Sequence, residues 1–257
     1  MNAGAGAVCC TNNIMFTNPS SSSFIFPINF CCAPTRCGSN RSYAAHSMSQ
    51  SSVLVETSIE GQIAEEEALS LKPATRRRRR IILLRHAKSS WEDRSIRDHD
   101  RPLSKVGQAD ATKISYNLEK LGWLPELILC SDAIRTKETL KIMQEKVKAF
   151  LEAKVHFISS FYSVAAMDGQ TAGHLEQAIC KYSGNEILTI MCMGHNRGWE
   201  EAATMLSGTP VELKTCNAAL LEATGTSWEE AFSSAGFGGW KLQGIVKPNS
   251  ESSIMTL

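Results

Sequence analysis

Short apolar runs alternate with amphipathic helical patterns along most of this chain, and that alternation limits the possible folds more than any other feature. The run from Ile81 to Leu84 has the length and continuity of a strand buried on both faces. From Ser104, a favourable N-cap residue, to Gly122, apolar residues recur on one helical face. Because such patterns follow one another at βαβ spacing, the sequence predicts one three-layer α/β/α domain with a mainly parallel central sheet.

The remaining elements are predicted from the same two periodicities. Further strands are predicted at ELILCS, VHFIS, EILTIMCMGH, AALLEAT and WKLQGIV, and further helices at residues 132–150, 169–182 and 198–206. The predicted domain covers residues 81–250.

The first 55 residues have the composition of a targeting segment. No Asp or Glu occurs before Glu56, Ser is abundant, and Arg36 and Arg41 are the only basic residues. An acid-free, Ser-rich segment with little Arg is typical of a plastid transit peptide. We therefore expect residues 1–55 to direct the protein to the chloroplast and to be removed there. The alternative is a disordered tail without a targeting role.

Residues 56–80 are predicted to be an acidic linker followed by a flank of five arginines, Arg76 to Arg80. The sequence favours a solvated flank to the first strand, and a nuclear address or RNA-binding patch is the alternative. No aromatic residue interrupts the arginines, and the net charge of the whole chain is only +1. No segment approaches the eighteen apolar residues of a membrane span. We therefore expect neither a nucleic-acid nor a membrane partner.

Four cysteines, Cys130, Cys180, Cys192 and Cys216, lie in the predicted domain, and their spacing includes no CxxC pair. Neither a zinc site nor a thioredoxin-like motif is therefore supported. Cys130 and Cys192 are in apolar runs and are predicted to be buried.

Cationic side chains follow three of the predicted strands. The first strand ends at Arg85 and His86, Arg135 lies in the helix after the second, and His195 ends the fourth. Ligands of open parallel sheets bind beyond the carboxyl ends of the strands, so these side chains are expected at one site. Two guanidinium groups indicate an oxyanion, most plausibly phosphate. A neutral imidazole can attack phosphorus, and a second can donate a hydrogen bond to the phosphoryl oxygens.

Four segments, LLRHAKSSW, RPLSKVGQADA, LILCSDAIRTKETL and MGHNRGWEEAATML, resemble in that order the histidine phosphatase superfamily. The likeness is strongest to the small branch typified by the bacterial phosphohistidine phosphatase SixA, and it covers about residues 81–246. It implies the phosphoglycerate mutase-like fold, with His86 as the phosphorylated nucleophile. It also implies a phosphate pocket that includes Arg85, Arg135 and His195. No metal or organic cofactor is implied, and no carboxylate or Cys accompanies the two histidines at metal-ligand spacing.

Two positions depart from the wider superfamily. Ala87 stands where Gly is commoner, which the SixA-like branch tolerates. Residues 157–170 contain no Glu, although mutase-type members carry a Glu proton donor in this segment. The loop RDHDRPL offers Asp98 or Asp100 as the donor, with Arg101 nearby. Neighbouring cations would lower the pKa of either carboxyl group and make it a poor acid.

Other polar and aromatic residues receive weaker assignments. Lys88 is a candidate for holding an anionic substrate, although a loop Lys is more often simply exposed. Three further histidines are predicted to be structural or solvated, and three tryptophans to be packing residues: His99, His156 and His174, and Trp91, Trp199 and Trp240.

The expected function is a phosphatase that acts through a phosphohistidine on His86. Its substrate is expected to be a phosphohistidine on a protein or a small phosphorylated metabolite. A mutase that returns the phosphoryl group to its substrate is the alternative within enzymes, and the missing Glu argues against it. A regulatory module that binds phosphate without turnover is the alternative outside enzymes.

Overall fold

The computed structural model describes residues 75–249, so the predicted transit peptide and nearly all of the acidic linker lie outside the described residues. The strands are β1 (Arg77–Arg85), β2 (Leu127–Ser131), β3 (Lys154–Ile158), β4 (Thr189–Gly194), β5 (Ala218–Gly225) and β6 (Lys241–Val246). The helices are α1 (Lys105–Lys120), α2 (Ile134–Lys146), α3 (Lys148–Glu152), α4 (Ser160–Val164), α5 (Thr171–Tyr182), α6 (Gly198–Ser207) and α7 (Trp228–Ala235). A 3-10 turn spans Asp98–Asp100.

The strands form one sheet in the order β3-β2-β4-β1-β5-β6. The first four strands of this order are parallel, whereas β5 is antiparallel to both β1 and β6. The predicted mainly parallel sheet is therefore confirmed. The carboxyl ends of β1, β2 and β4 lie side by side at one edge.

Two apolar layers lie on opposite faces of the sheet, because successive strand residues point to opposite sides. Ile81 and Leu83 of β1 belong to one layer, which includes residues of α5, α6 and α7. Ile82 and Leu84 belong to the other, which includes residues of α1, α2 and α3. This arrangement confirms the three-layer architecture. The predicted burial of Cys130 and Cys192 is also confirmed.

Helix α1 begins and ends as its sequence predicts. The Ser104 side chain accepts a hydrogen bond of 3.1 Å from the Gly107 amide, and Gly122 has a φ of +68° just beyond the helix. Gly107 is required for packing as well, because a Cβ built there would lie 2.2 Å from the carbonyl oxygen of Lys88. The helix start thus lies against the segment that carries His86.

The arginine run differs from its predicted role as a solvated flank. Arg77 to Arg80 belong to β1 and pair with β5. The Arg79 side chain is fully buried and donates hydrogen bonds to the carbonyl oxygens of Ile187 (2.7 Å) and Thr226 (2.5 Å). The prediction is therefore wrong in placing these residues before the strand and in expecting Arg79 to be solvated, since β5 supplies partners that their sequence does not reveal. Arg77 and Arg78 are exposed, as predicted. Arg76 is exposed.

Other differences between the sequence predictions and the structure are local. The helix predicted over residues 132–150 is divided at Val147, whose extended backbone separates α2 from α3. Helices α4 and α7 were not predicted, because each is too short for a helical period to be detected in the sequence. Trp199 and Trp240 are buried as predicted, whereas Trp91 is 62% exposed and packs with one face against the Arg101 guanidinium group. No helix within residues 75–249 has the length and apolar content to cross a membrane.

Candidate active site

The two predicted site histidines lie side by side because their strands are neighbours. His86 follows β1 and His195 follows β4, and Arg85 is paired with Gly194 in the parallel register. The His86 amide donates to the Gly194 carbonyl oxygen at 3.0 Å. The two ring centroids are 5.0 Å apart, and both residues are buried.

Arg135 bridges the two histidines. It is the second residue of α2, and its side chain is buried beyond the end of β2. Its Nε donates to His86 Nε2 at 3.1 Å, and its Nη2 is 3.2 Å from His195 Nδ1. One guanidinium group therefore contacts both imidazoles.

These contacts define the tautomer of His86. An arginine can only donate, so His86 Nε2 must accept and carries its lone pair on the pocket side. Its Nδ1 lies 2.7 Å from the carbonyl oxygen of Ala87, to which it donates. Burial, with the charges of Arg135 and Arg85, lowers the pKa of His86 to about 4. The ring is neutral at pH 7, as a nucleophile requires.

His195 is held by contacts at both ring nitrogens. Its Nδ1 accepts from Arg135, and its Nε2 is 2.8 Å from Ser131 Oγ. Burial is the main cause that lowers the pKa of His195. Ser131 ends β2 and is a site residue to which the sequence analysis gave no role beyond its place in a predicted strand. Its place at a strand end, as for His86, is the signal that could have indicated its role.

Arg85 lies beside the pocket rather than between the histidines. Its Nη1 donates to the Leu213 carbonyl oxygen at 2.8 Å. Its buried Nε has no hydrogen-bond partner among the described residues. Its charge contributes to the lowered pKa values of His86 and His195. Arg85 thus adds positive charge to the pocket.

The two carboxylates proposed as proton donors have different surroundings. Asp98 Oδ2 accepts from Arg135 Nη2 at 2.9 Å, and its carbonyl oxygen accepts from Arg135 Nη1. Asp100 instead contacts Arg97 Nη2 at 2.7 Å and His99 Nδ1 at 3.1 Å. The structure therefore brings Asp98, and not Asp100, into contact with Arg135.

Neither carboxyl group has the pKa of an acid catalyst at neutral pH. Partial burial alone would raise the pKa of Asp98, but hydrogen bonds from Tyr162 and Arg135 and the nearby arginine charges lower it. Hydrogen bonds from His99 and Arg97 lower the pKa of Asp100. Both groups are carboxylates at pH 7.

Arg101 reaches the site only through Asp98, whose Oδ1 lies 4.0 Å from Arg101 Nε, and Lys88 makes none of these contacts. Arg101 is buried, donates to the carbonyl oxygens of Asp93 (3.2 Å) and Ile96 (2.9 Å), and stacks 4.0 Å from the Trp91 ring centroid. It therefore fastens the loop before Asp98. Lys88 is exposed at the rim.

Tyr162 is a residue of the site that the sequence analysis did not identify. It lies on α4, and its hydroxyl donates to Asp98 Oδ2 at 2.9 Å. Its ring meets His195 edge-on at 5.2 Å and lies 5.7 Å from the Arg135 guanidinium carbon. The signal was its position in residues 157–170, the segment in which a Glu was sought.

His99 has the structural role, one of the two predicted for it. Its Nε2 is 3.0 Å from Asp132 Oδ1, and its Nδ1 contacts Asp100. The hydrogen bond with Asp132, followed by that with Asp100, raises the pKa of His99. His99 thereby joins the turn at Asp98–Asp100 to the segment before α2. No cluster of three or more His, Cys, Asp or Glu side chains suited to a metal ion occurs within residues 75–249.

Comparison with known proteins identifies the family. A model of the histidine phosphatase superfamily (branch 1) matches residues 81–158. An uncharacterized chloroplastic protein of Arabidopsis thaliana is 68% identical over 178 residues, which are 69% of this chain and 82% of that protein. The chain belongs to the histidine phosphatase superfamily. The resemblance inferred from its four sequence motifs is thereby confirmed.

Solved structures place the chain with the SixA-like members of the superfamily. The SixA protein of Agrobacterium tumefaciens is 25% identical with a TM-score of 0.52, over 66% of this chain and 98% of that protein. The SixA protein of Nakamurella is 22% identical with a TM-score of 0.53, over 68% of this chain and 98% of its own. A histidine phosphatase SixA complexed with tungstate is 15% identical with a TM-score of 0.53, over 66% and 97% of the two chains. They share the fold described above.

Proposed function

We propose that this chain is a phosphatase that transfers the phosphoryl group of a phosphomonoester or a phosphohistidine to His86 and then to water. The observation that carries the proposal is the Arg135 bridge between the accepting nitrogens of His86 and His195. A neutral imidazole supplies the nucleophile, and the buried cation beside it binds the phosphoryl dianion.

In the first step, His86 Nε2 gives up the hydrogen bond from Arg135 Nε, and its lone pair attacks phosphorus. A phosphorus–nitrogen bond forms while the bond from phosphorus to the leaving group breaks, and the electron pair departs with the leaving group. The proton remains on Nδ1, and its hydrogen bond to the Ala87 carbonyl oxygen orients the ring. Arg135 and Arg85 offset the charge on the phosphoryl oxygens.

In the second step, water attacks phosphorus and the imidazole of His86 leaves. The phosphorus–nitrogen bond breaks, the electron pair returns to Nε2, and inorganic phosphate is released. His195, held by Ser131 at Nε2, presents Nδ1 toward Arg135. His195 can donate to a phosphoryl oxygen once its proton has moved from Nε2 to Nδ1, with Ser131 Oγ then donating to Nε2, a role supported by its position next to His86.

The acid–base state of Asp98 favours substrates with good leaving groups. Its lowered pKa makes it a poor proton donor at pH 7. A phosphohistidine or an aryl phosphate needs less protonation on departure than an alkyl phosphate. These leaving groups are therefore proposed as the preferred class.

The chloroplast is the proposed location. The relative from Arabidopsis is named as chloroplastic, and the first 55 residues of this chain lack acidic side chains. A fluorescent fusion of residues 1–60 should enter plastids. Diffuse cytosolic or nuclear fluorescence would contradict this location.

The phosphoenzyme is the direct test of the proposed activity. Rapid quench with a radiolabelled aryl phosphate should trap an acid-labile, base-stable label on the protein, as expected of a phosphorus–nitrogen bond. His86→Ala should abolish both trapping and turnover. His156→Ala, a control on β3 outside the site, should retain both. Near-normal turnover in His86→Ala would overturn the assignment of the nucleophile.

A further inference from the structure

All three nitrogens of the Arg135 guanidinium group donate hydrogen bonds within the protein. Nε donates to His86, Nη2 to both His195 and Asp98, and Nη1 to the Asp98 carbonyl oxygen. A guanidinium group has five N–H bonds, so little donor capacity remains for a ligand. The contacts above use four of the five, so a phosphoryl group that accepts two hydrogen bonds from Arg135 must replace one of these acceptors.

Asp98 Oδ2 lies where two donors converge. It is 2.9 Å from Arg135 Nη2 and 2.9 Å from the Tyr162 hydroxyl oxygen. Arg135 Nη2 also contacts His195 and the Tyr162 ring is edge-on to it, so both donors to this oxygen lie beside His195. An anionic oxygen with two donors at these distances has the surroundings that a phosphoryl oxygen takes in a phosphate site.

The two members of the ion pair differ in their freedom to move. The Arg135 side chain is 8% exposed, whereas that of Asp98 is 54% exposed. Asp98 can therefore turn into water at a small energetic cost, because a half-exposed carboxylate is already partly hydrated. Arg135 is buried between the two imidazoles and would lose those contacts if it moved.

The turn that carries Asp98 is held independently of the Asp98 carboxylate. His99 contacts both Asp132 and Asp100, and the Asp98 carbonyl oxygen accepts from Arg135 Nη1. The side chain of Asp98 can leave Nη2 while these contacts keep its backbone in place. The exchange therefore needs a side-chain rotation and no movement of the turn.

We propose that the Asp98 carboxylate occupies a phosphoryl-oxygen position of the site until substrate binds. The incoming phosphoryl group displaces it and takes over the hydrogen bonds of Arg135 and Tyr162. This proposal rests on the function proposed above and adds Tyr162 to the residues that bind the substrate. Because the incoming anion must displace the Asp98 carboxylate, the site favours phosphoryl groups with a charge of −2 over singly charged anions.

The test measures the binding of tungstate and of inorganic phosphate to the full chain by calorimetry. Asp98→Ala and Asp98→Asn remove the competing charge and should tighten binding by about three- to tenfold, the value of a partly exposed charged hydrogen bond. Asp93→Asn is the matched control, because it removes one negative charge from the same loop on a fully exposed side chain. It should change affinity by less than about twofold.

Direct contact between Tyr162 and the bound anion is tested in a variant that lacks the Asp98 carboxylate. Tyr162→Phe keeps the ring beside His195 and removes the hydroxyl. In the Asp98→Ala background, this change should weaken tungstate binding by about tenfold, since a hydrogen bond to a charged oxygen is lost. If Tyr162 acted only by positioning Asp98, Tyr162→Phe would leave the tungstate affinity unchanged in this background.

The outcomes separate this proposal from the proposed function. Weaker or unchanged tungstate binding in both Asp98 variants would overturn the displacement while the phosphoenzyme still forms. An unchanged affinity on adding Tyr162→Phe would remove Tyr162 from the binding site. Absence of tungstate binding from every variant, together with no phosphoenzyme, would overturn both proposals.

Discussion

At the residue scale, burial determines the chemistry of the two histidines. Each imidazole is enclosed by strand ends and placed beside Arg135, and burial is the main cause that lowers both pKa values. A neutral ring retains the lone pair needed to attack phosphorus. The same burial has a consequence for folding, because the unfolded chain binds protons at these histidines more readily than the folded one.

The free energy of unfolding should therefore fall as the pH falls below about 6.5, the ordinary pKa of histidine. The pKa of His86 is lowered in the folded protein to about 4, so its contribution is complete above pH 6.5 and is lost toward pH 4. Between pH 7 and pH 5 we expect a loss of about 2 kcal/mol from His86 alone. Denaturant unfolding at the two pH values measures this loss. His86→Gln should show a smaller loss, and an equal loss in both proteins would contradict the assignment.

At the scale of secondary structure, the site depends on how closely α1 approaches the segment after β1. Ser104 caps the helix, and both its backbone amide and its hydroxyl donate to the Lys88 carbonyl oxygen. Gly107 makes room for that carbonyl group. The helix start and the residues next to His86 are thus fitted to each other.

Gly107→Ala should destabilise the protein by about 1–3 kcal/mol, as overpacking of a close contact typically does. The added methyl group would lie 2.2 Å from the Lys88 carbonyl oxygen, so the backbone beside His86 must move. Gly173→Ala in α5 is the matched control, since a Cβ there meets nothing within 4 Å. That variant should be unchanged or more stable by up to about 1 kcal/mol. Thermal unfolding compares the two, and equal stabilities would refute the packing argument.

At the scale of the whole molecule, Arg79 joins the start of the central strand to the surrounding layers. Its guanidinium group donates to Ile187, before β4, and to Thr226, before α7. It also lies 5.4 Å from the Trp228 ring centroid. The folded domain therefore includes residues that a boundary at Ile81 would exclude.

Arg79→Met should lower the free energy of unfolding by about 2–4 kcal/mol, because it removes buried charge-assisted hydrogen bonds. Arg78→Met, at an exposed neighbouring side chain, should change it by less than about 0.5 kcal/mol. Urea unfolding of the two variants provides the comparison. A loss as small for Arg79 as for Arg78 would show that the buried contacts contribute little.

Local patterns in the sequence predicted the six strands, the longer helices, the mainly parallel sheet and the grouping of four cationic or imidazole side chains, Arg85, His86, Arg135 and His195. These follow from local periodicity and from the rule that parallel strands end at one edge. Only the tertiary structure revealed Ser131 as a partner of His195 and Tyr162 as a partner of Asp98. It also placed Arg79 inside the fold. Contacts between residues that are 64 or more positions apart depend on the register of neighbouring strands and the direction of short helices, which no local pattern encodes.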